Sequence, residues 1–145
     1  PAVAATYGAN AEALSAAIAA LTAELQTVLA PVKDRPFVVF HDAYQYFERH
    51  FGLTAAGSIT VSPDVQPSAK RLTAIRKKIG QLGATCVFAE PQFKSKLIDT
   101  VIEGTKARPG TLDPEGGLIS AGANLYSTLM RSLASGLEDC LARSS

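Results

Sequence analysis

Two short apolar runs constrain this chain most: Pro36-Phe37-Val38-Val39-Phe40 and Thr85-Cys86-Val87-Phe88-Ala89. Neither alternates apolar with polar residues, so each reads as a strand of a parallel sheet covered on both faces. Helical periodicity fills the sequence around them. Residues 43–51 read as a helix closed by Gly52, and 56–61 as a further strand. Pro67 opens a helix whose apolar positions are Leu72, Ile75, Ile79 and Leu82, and Gly83 ends it. A helix over 92–103 follows the second apolar run, and 106–112 forms a short strand weakened by Pro109 and Gly110. A loop rich in glycine (Gly116, Gly117, Gly122) leads to a last helix over 123–142. Strands alternating with helices imply βαβ units joined by right-handed crossovers. The expected fold class is α/β: a single lobe with a four-stranded parallel sheet flanked by helices and preceded by a long N-terminal helix.

That first helix is read from Leu14, Ile18, Leu21, Leu25, Val28 and Leu29, which recur at spacings of three and four as one apolar stripe. Asn10 is its expected cap and Pro31 its stop. Ala16, Ala17, Ala19 and Ala20 on the other face suit either close packing from a second side or a plain surface helix. The length, 145 residues, fits one domain, and 47% hydrophobic against 19% charged residues excludes a disordered chain. A formal net charge of +1 argues against a dedicated nucleic-acid interface. No uninterrupted apolar run reaches the ~18 residues of a membrane span, which points to a soluble chain. The sequence opens at Pro1 without an initiator Met or signal peptide, as a mature product or a fragment does. Cys86 and Cys140 lie too far apart for a CxxC motif; spacing alone leaves them either two buried thiols or one disulfide.

In open parallel sheets ligands collect beyond the carboxyl ends of the strands, so the residues there are the candidates. They are His41-Asp42, Ser62-Pro63-Asp64, Glu90-Pro91 and Asp113-Pro114. With strand order 2-1-3-4, His41, Glu90 and Asp113 line one edge. His41 stands where a strand gives way to a helix N-terminus, whose positive end disfavours imidazolium and leaves a ring nitrogen available to a metal. Position alone equally allows a strand-end histidine bonded to a backbone carbonyl. Glu90 and Asp113 each precede a proline, which fixes an extended backbone and aims the carboxylate away from the turn. Each suits a cation ligand, a group that orients His41, or a helix cap. His50, beside Glu48 and Arg49, reads as a solvated surface residue. No GxGxxG, GxxxxGK[ST] or GxSxG motif is present, so dinucleotide, NTP and serine-nucleophile sites are unsupported. One histidine and two carboxylates leave a zinc site incomplete, since zinc takes three or four protein ligands.

Several phrases, in this order and spacing, carry a resemblance. They are Phe37-Val38-Val39-Phe40-His41-Asp42-Ala43-Tyr44, Tyr46-Phe47, Ala84-Thr85-Cys86-Val87-Phe88-Ala89-Glu90-Pro91-Gln92-Phe93, and Gly110-Thr111-Leu112-Asp113-Pro114. Together they resemble the C-terminal lobe of the periplasmic zinc-binding proteins of the ZnuA type, which serve bacterial zinc ABC transporters. The resemblance covers nearly the whole chain. It implies that residues 1–32 are an interlobe linking helix and that 33–145 form the C-terminal lobe of a two-lobe solute-binding protein. His41 then matches the histidine this lobe gives to Zn2+, Asp113 the aspartate that completes the site, and Glu90 a residue behind the ligands. Cys86 and Cys140 match a disulfide pair, a cross-link worth about 4 kcal/mol in the chain-entropy model.

The implied function is high-affinity zinc capture in the periplasm and delivery to an inner-membrane ABC permease, by binding and not catalysis. In such proteins an N-terminal lobe supplies two further histidines and a His-rich acidic loop, neither of which this chain contains, so it supplies one half of the metal site. The linking helix is then expected to carry apolar surface. The alternatives are a manganese or iron solute-binding protein, an adhesin-like relative, or a zinc-dependent hydrolase using Glu90 as base. An imidazole at position 41 favours zinc over manganese.

Overall fold

Phe37, Val38 and Val39 are each at most 1% exposed, and their side chains divide between two separate cores on opposite faces of one sheet. The computed structural model of the chain describes residues 3–60, 62, 65–93 and 96–143. Among these, the elements run α1 (Ala4–Leu29), a 3-10 turn (Ala30–Val32), β1 (Phe37–Val39), α2 (Gln45–Phe51), β2 (Ala55–Ser58), α3 (Ala69–Leu82), β3 (Cys86–Ala89), α4 (Lys96–Ile102), β4 (Arg108–Thr111) and α5 (Leu125–Leu141). The four strands are parallel in the order β2-β1-β3-β4, as the strand-end argument requires. The α/β class and the long N-terminal helix are as read.

Alternation along β1 and β3 sorts the two cores. Phe37, Val39, Cys86 and Phe88 face α1 and α5, meeting Leu25, Leu29, Leu133 and Leu137. Val38 and Val87 face α3 and α4, meeting Ile75, Ile79, Ile98 and Val101. The Phe37 and Phe88 rings pack edge to face, with centroids 5.8 Å apart. Pro109 is tolerated in β4 because β4 is an edge strand, where a missing N–H breaks no ladder on the open side. Cys86 and Cys140 form a disulfide, with Cα atoms 6.1 Å apart, that ties the buried strand β3 to α5.

Two glycines permit close approach between elements. A Cβ on Gly110 would lie 2.5 Å from the Phe88 ring, and one on Gly136 would lie 2.8 Å from the Thr111 carbonyl oxygen. Gly136 is thus where α5 rests on the backbone of the last residue of β4.

Element boundaries differ from the sequence reading in several places. Asn10 is not a cap: α1 begins at Ala4, with Val3 before it, and runs through Asn10 because alanine-rich sequence sustains the helix without a cap bond. Only the C-terminal half of the apolar stripe is core: Leu21, Leu25 and Leu29 are buried, whereas Leu14 is 61% and Ile18 38% exposed. The stretch Ala4–Val32 is long and apolar enough, by length and composition, to cross a bilayer. Counting uninterrupted apolar residues misses this because isolated Thr, Glu and Gln residues break the run. α2 and α4 are each seven residues, shorter than expected, and β2 stops at Ser58. Ser68, following Pro67, caps α3 by accepting from the Arg71 N–H. The strand end at Val61, Pro63 and Asp64 lies outside the described residues.

α1 and α5 are joined by a two-pronged ion pair: Arg131 donates to both carboxylate oxygens of Glu24, at 2.8 and 2.7 Å. The hydrogen bond from Arg131 outweighs desolvation and holds the Glu24 carboxyl below its ordinary value. Its contribution to stability is therefore present above the unfolded glutamate pKa and lost as pH falls through the lower folded one. The difference in Tm between wild type and Glu24→Gln should be visible at neutral pH and shrink below pH 4.5. A second prediction concerns α5: Gly136→Ala should destabilise by about 1–3 kcal/mol in urea unfolding, because backbone rather than a mobile side chain blocks the new methyl.

Candidate metal site at the strand ends

β1 and β3 are adjacent, and the register that pairs Phe37 with Cys86 and Val39 with Phe88 continues past the strands to set His41 beside Glu90. The His41 Nδ1 lies 2.6 Å from Glu90 Oε1. Glu90 is 3% exposed and also accepts from the Tyr44 hydroxyl at 3.3 Å. Burial pushes the Glu90 carboxyl up, against the opposing pull of His41. The Tyr44 phenol is pushed far up by burial first, then by the charge of Glu90 and, more weakly, that of Asp113. With Glu90 as carboxylate, Nδ1 carries the ring proton and Nε2 becomes the basic nitrogen, available to a cation. Phe93 presents its ring edge-on to the imidazole at 6.4 Å and is itself stacked on Phe40 at 5.0 Å, so packing as well as hydrogen bonding sets the ring plane.

The sequence reading placed a helix N-terminus directly after His41. α2 instead begins at Gln45 and is only seven residues long, so the partner that decides which nitrogen of His41 is free is the Glu90 carboxylate. Among the described residues, the His41 ring bonds the Glu90 carboxyl rather than a backbone carbonyl, and the Glu90 carboxyl meets His41 and Tyr44. His50 is exposed, with its ring edge against Phe51, as expected of a surface residue.

Asp113, two residues beyond β4, is built into a tight loop. Its Oδ1 accepts from Gln92 Nε2 at 2.6 Å, from the Gly116 N–H at 3.0 Å and from the Glu115 N–H at 3.2 Å. Its Oδ2 is buried and has no hydrogen-bond partner among the described residues. Burial would raise this carboxyl, but the Gln92 amide first, and then neighbouring backbone N–H groups, Glu115 and Gly116 among them, outweigh it and hold the group below the usual carboxylate range. A buried carboxylate oxygen left without a donor is costly unless something positive meets it.

The topology thus gathers the three residues singled out from sequence at one end of the sheet, with His41 and Glu90 in contact and Asp113 in the loop after the next strand out. Among the described residues, no three His, Cys, Asp or Glu side chains converge closely enough to hold a metal ion. Tyr44 and Gln92 were not foreseen. Gln92 had a signal, since it lies two residues after Glu90 in the same turn; Tyr44 had none apart from following His41 by three.

A family model described as zinc-uptake complex component A, periplasmic (ZnuA), matches residues 1–140. The high-affinity zinc uptake system protein ZnuA of Brucella suis biovar 1 (strain 1330) is 57% identical over 143 residues, which is 99% of this chain but 43% of that protein. Among solved structures, a ZnuA crystal structure superposes with a TM-score of 0.80 at 28% identity, covering 97% of this chain and 50% of the other. The SBP FpvC of Pseudomonas aeruginosa, in complex with Mn2+, gives a TM-score of 0.79 at 25% identity, covering 100% of this chain and 53% of the other. The chain therefore spans less than half the length of the curated relative it matches. A match over nearly every residue, together with this sheet order and this arrangement at the strand ends, means that the chain belongs to the ZnuA family, component A of zinc-uptake complexes.

Proposed function

We propose that this chain is one lobe of a periplasmic zinc-capture protein that passes its ion to an inner-membrane ABC permease. Residues 33–145 are the C-terminal lobe and 1–32 the helix that links it to an N-terminal lobe. His41 and Asp113 are its metal ligands, and Glu90 orients His41. The observation that carries this reading is the pair of unmet donors at the strand ends: an imidazole whose Nδ1 is held by Glu90, and the buried, partnerless Oδ2 of Asp113. Imidazole nitrogen with one carboxylate oxygen suits Zn2+. Two donors do not complete a zinc shell, so the remaining ligands come from the other lobe. Coverage of 43% of the B. suis relative supports a one-lobe assignment. So does the exposed apolar surface of α1 at Tyr7, Leu14 and Ile18, which a second lobe would cover.

Capture then follows from geometry. Glu90, itself fixed by Tyr44, keeps Nε2 presented toward the cleft, and closure of the lobes adds the missing ligands. Opening the cleft removes those ligands and leaves two, too few to retain the ion, which is what delivery to a permease needs. Glu90, the base a zinc hydrolase would require, is buried and engaged by both His41 and Tyr44, which favours binding over catalysis. The Mn2+ bound by the neighbour FpvC supports manganese as the second reading.

In the full-length protein, His41→Ala should weaken zinc binding by more than about tenfold in a competition titration, and an unchanged affinity would remove His41 from the site. Titrated alone, the 145-residue chain should bind zinc weakly and lose that binding in His41→Ala. Tight one-to-one binding by the lone chain would mean that it completes its own site, and would overturn the half-site reading.

A further inference from the structure

The carboxyl group of Asp113 is used unequally. Three donors converge on Oδ1, from the Gln92 amide and the Gly116 and Glu115 backbone, whereas Oδ2 has none among the described residues. A carboxylate oxygen offers about two lone-pair directions, so Oδ1 is saturated and only Oδ2 is left to face a cation. The two backbone bonds come from the loop itself, two and three residues after Asp113. The Gln92 bond, at 2.6 Å the shortest of the three, comes from a side chain of the Glu90-Pro91-Gln92 turn. The carboxylate acceptor also decides which end of the amide points inward, since only the NH2 group can donate. Gly117 keeps this corner clear: a Cβ there would lie 3.3 Å from Gln92 Nε2 and 3.9 Å from Asp113 Oδ2.

We infer that Gln92 is a specificity-determining residue: by occupying Oδ1 it limits Asp113 to a single-oxygen contact with the metal. The inference rests on the proposed role of Asp113 as a ligand. A one-oxygen carboxylate beside imidazoles suits tetrahedral, four-coordinate zinc. Manganese favours oxygen-rich, higher-coordinate sites and gains more from a carboxylate that offers both oxygens. A water in place of the amide would not impose the same limit, because it leaves when a cation approaches, whereas the amide is tethered to the turn. One turn thus serves both proposed ligands: Glu90 decides which nitrogen of His41 is presented, and Gln92 decides how many oxygens of Asp113 are.

The test uses the full-length protein with Gln92→Met, which keeps the volume and removes the donor, and Gln92→Ala as a second variant. Zinc and manganese affinities are measured by competition, and the oxygen neighbours of bound metal are counted by X-ray absorption. The expected result is a zinc-over-manganese preference reduced by about tenfold, with an added oxygen neighbour in the manganese-loaded variants. A preference that stays within about twofold of wild type, with unchanged coordination, overturns the inference. Asp113→Asn, measured alongside, separates the two levels. Weaker zinc binding in that variant upholds Asp113 as a ligand whatever Gln92 does, and unchanged zinc binding removes Asp113 as a ligand and the specificity inference with it.

Discussion

Burial of β1 and β3 on both faces is the constraint on which everything else here depends. Val38 and Val87 cannot exchange places with Phe37 and Phe88 without moving valine-sized groups into phenylalanine-sized space and the reverse, which disfavours a shifted register of the two strands. The offset of 49 residues that pairs Phe37 with Cys86 is also the offset between His41 and Glu90. A slip of one residue would send one of the two side chains to the other face. The contact at the strand ends is thus an extension of the core, and its precision comes from packing some distance beneath it.

The second half of the site depends on different anchors. Asp113 lies in the connection between β4 and α5, and both ends of that connection are pinned. At one end the Leu112 N–H donates to the Ala89 carbonyl; at the other, α5 is seated on the Thr111 backbone at Gly136 and bonded to β3 through the disulfide of Cys140 with Cys86. The loop between can therefore hold a carboxylate with one oxygen saturated and the other bare. α1 contrasts with this rigidity. Its C-terminal half is locked into the core by Leu25 and Leu29 and by the Glu24–Arg131 pair, while its N-terminal half has apolar side chains exposed.

Much of this was legible in the residues. The unbroken apolar runs gave a doubly covered sheet, the glycines at 52 and 83 do end α2 and α3, and the strand-end rule singled out His41, Glu90 and Asp113. What was misread shares one cause. Asn10 has the chemistry of a cap but lies inside α1, and Leu14 and Ile18 have the spacing of core residues but face solvent. Spacing shows which residues share a face of a helix; it does not show where along the helix the partner surface ends. Tyr44 escaped notice for the same reason, since a tyrosine in a loop is informative only once Glu90 stands 3.3 Å from its hydroxyl.

The sequence by itself determined the class of the fold, the ends of several helices and the identity of the groups at the strand ends. Those properties follow from local rules: side-chain period, the backbone freedom of glycine and the fixed direction of parallel strands. Only the tertiary structure decided which nitrogen of His41 is free and which oxygen of Asp113 is bare. Both depend on partners far along the chain, Glu90 for the first and Gln92 for the second, and a hydrogen bond between residues 49 or 21 positions apart exists only after the sheet has brought their strands together.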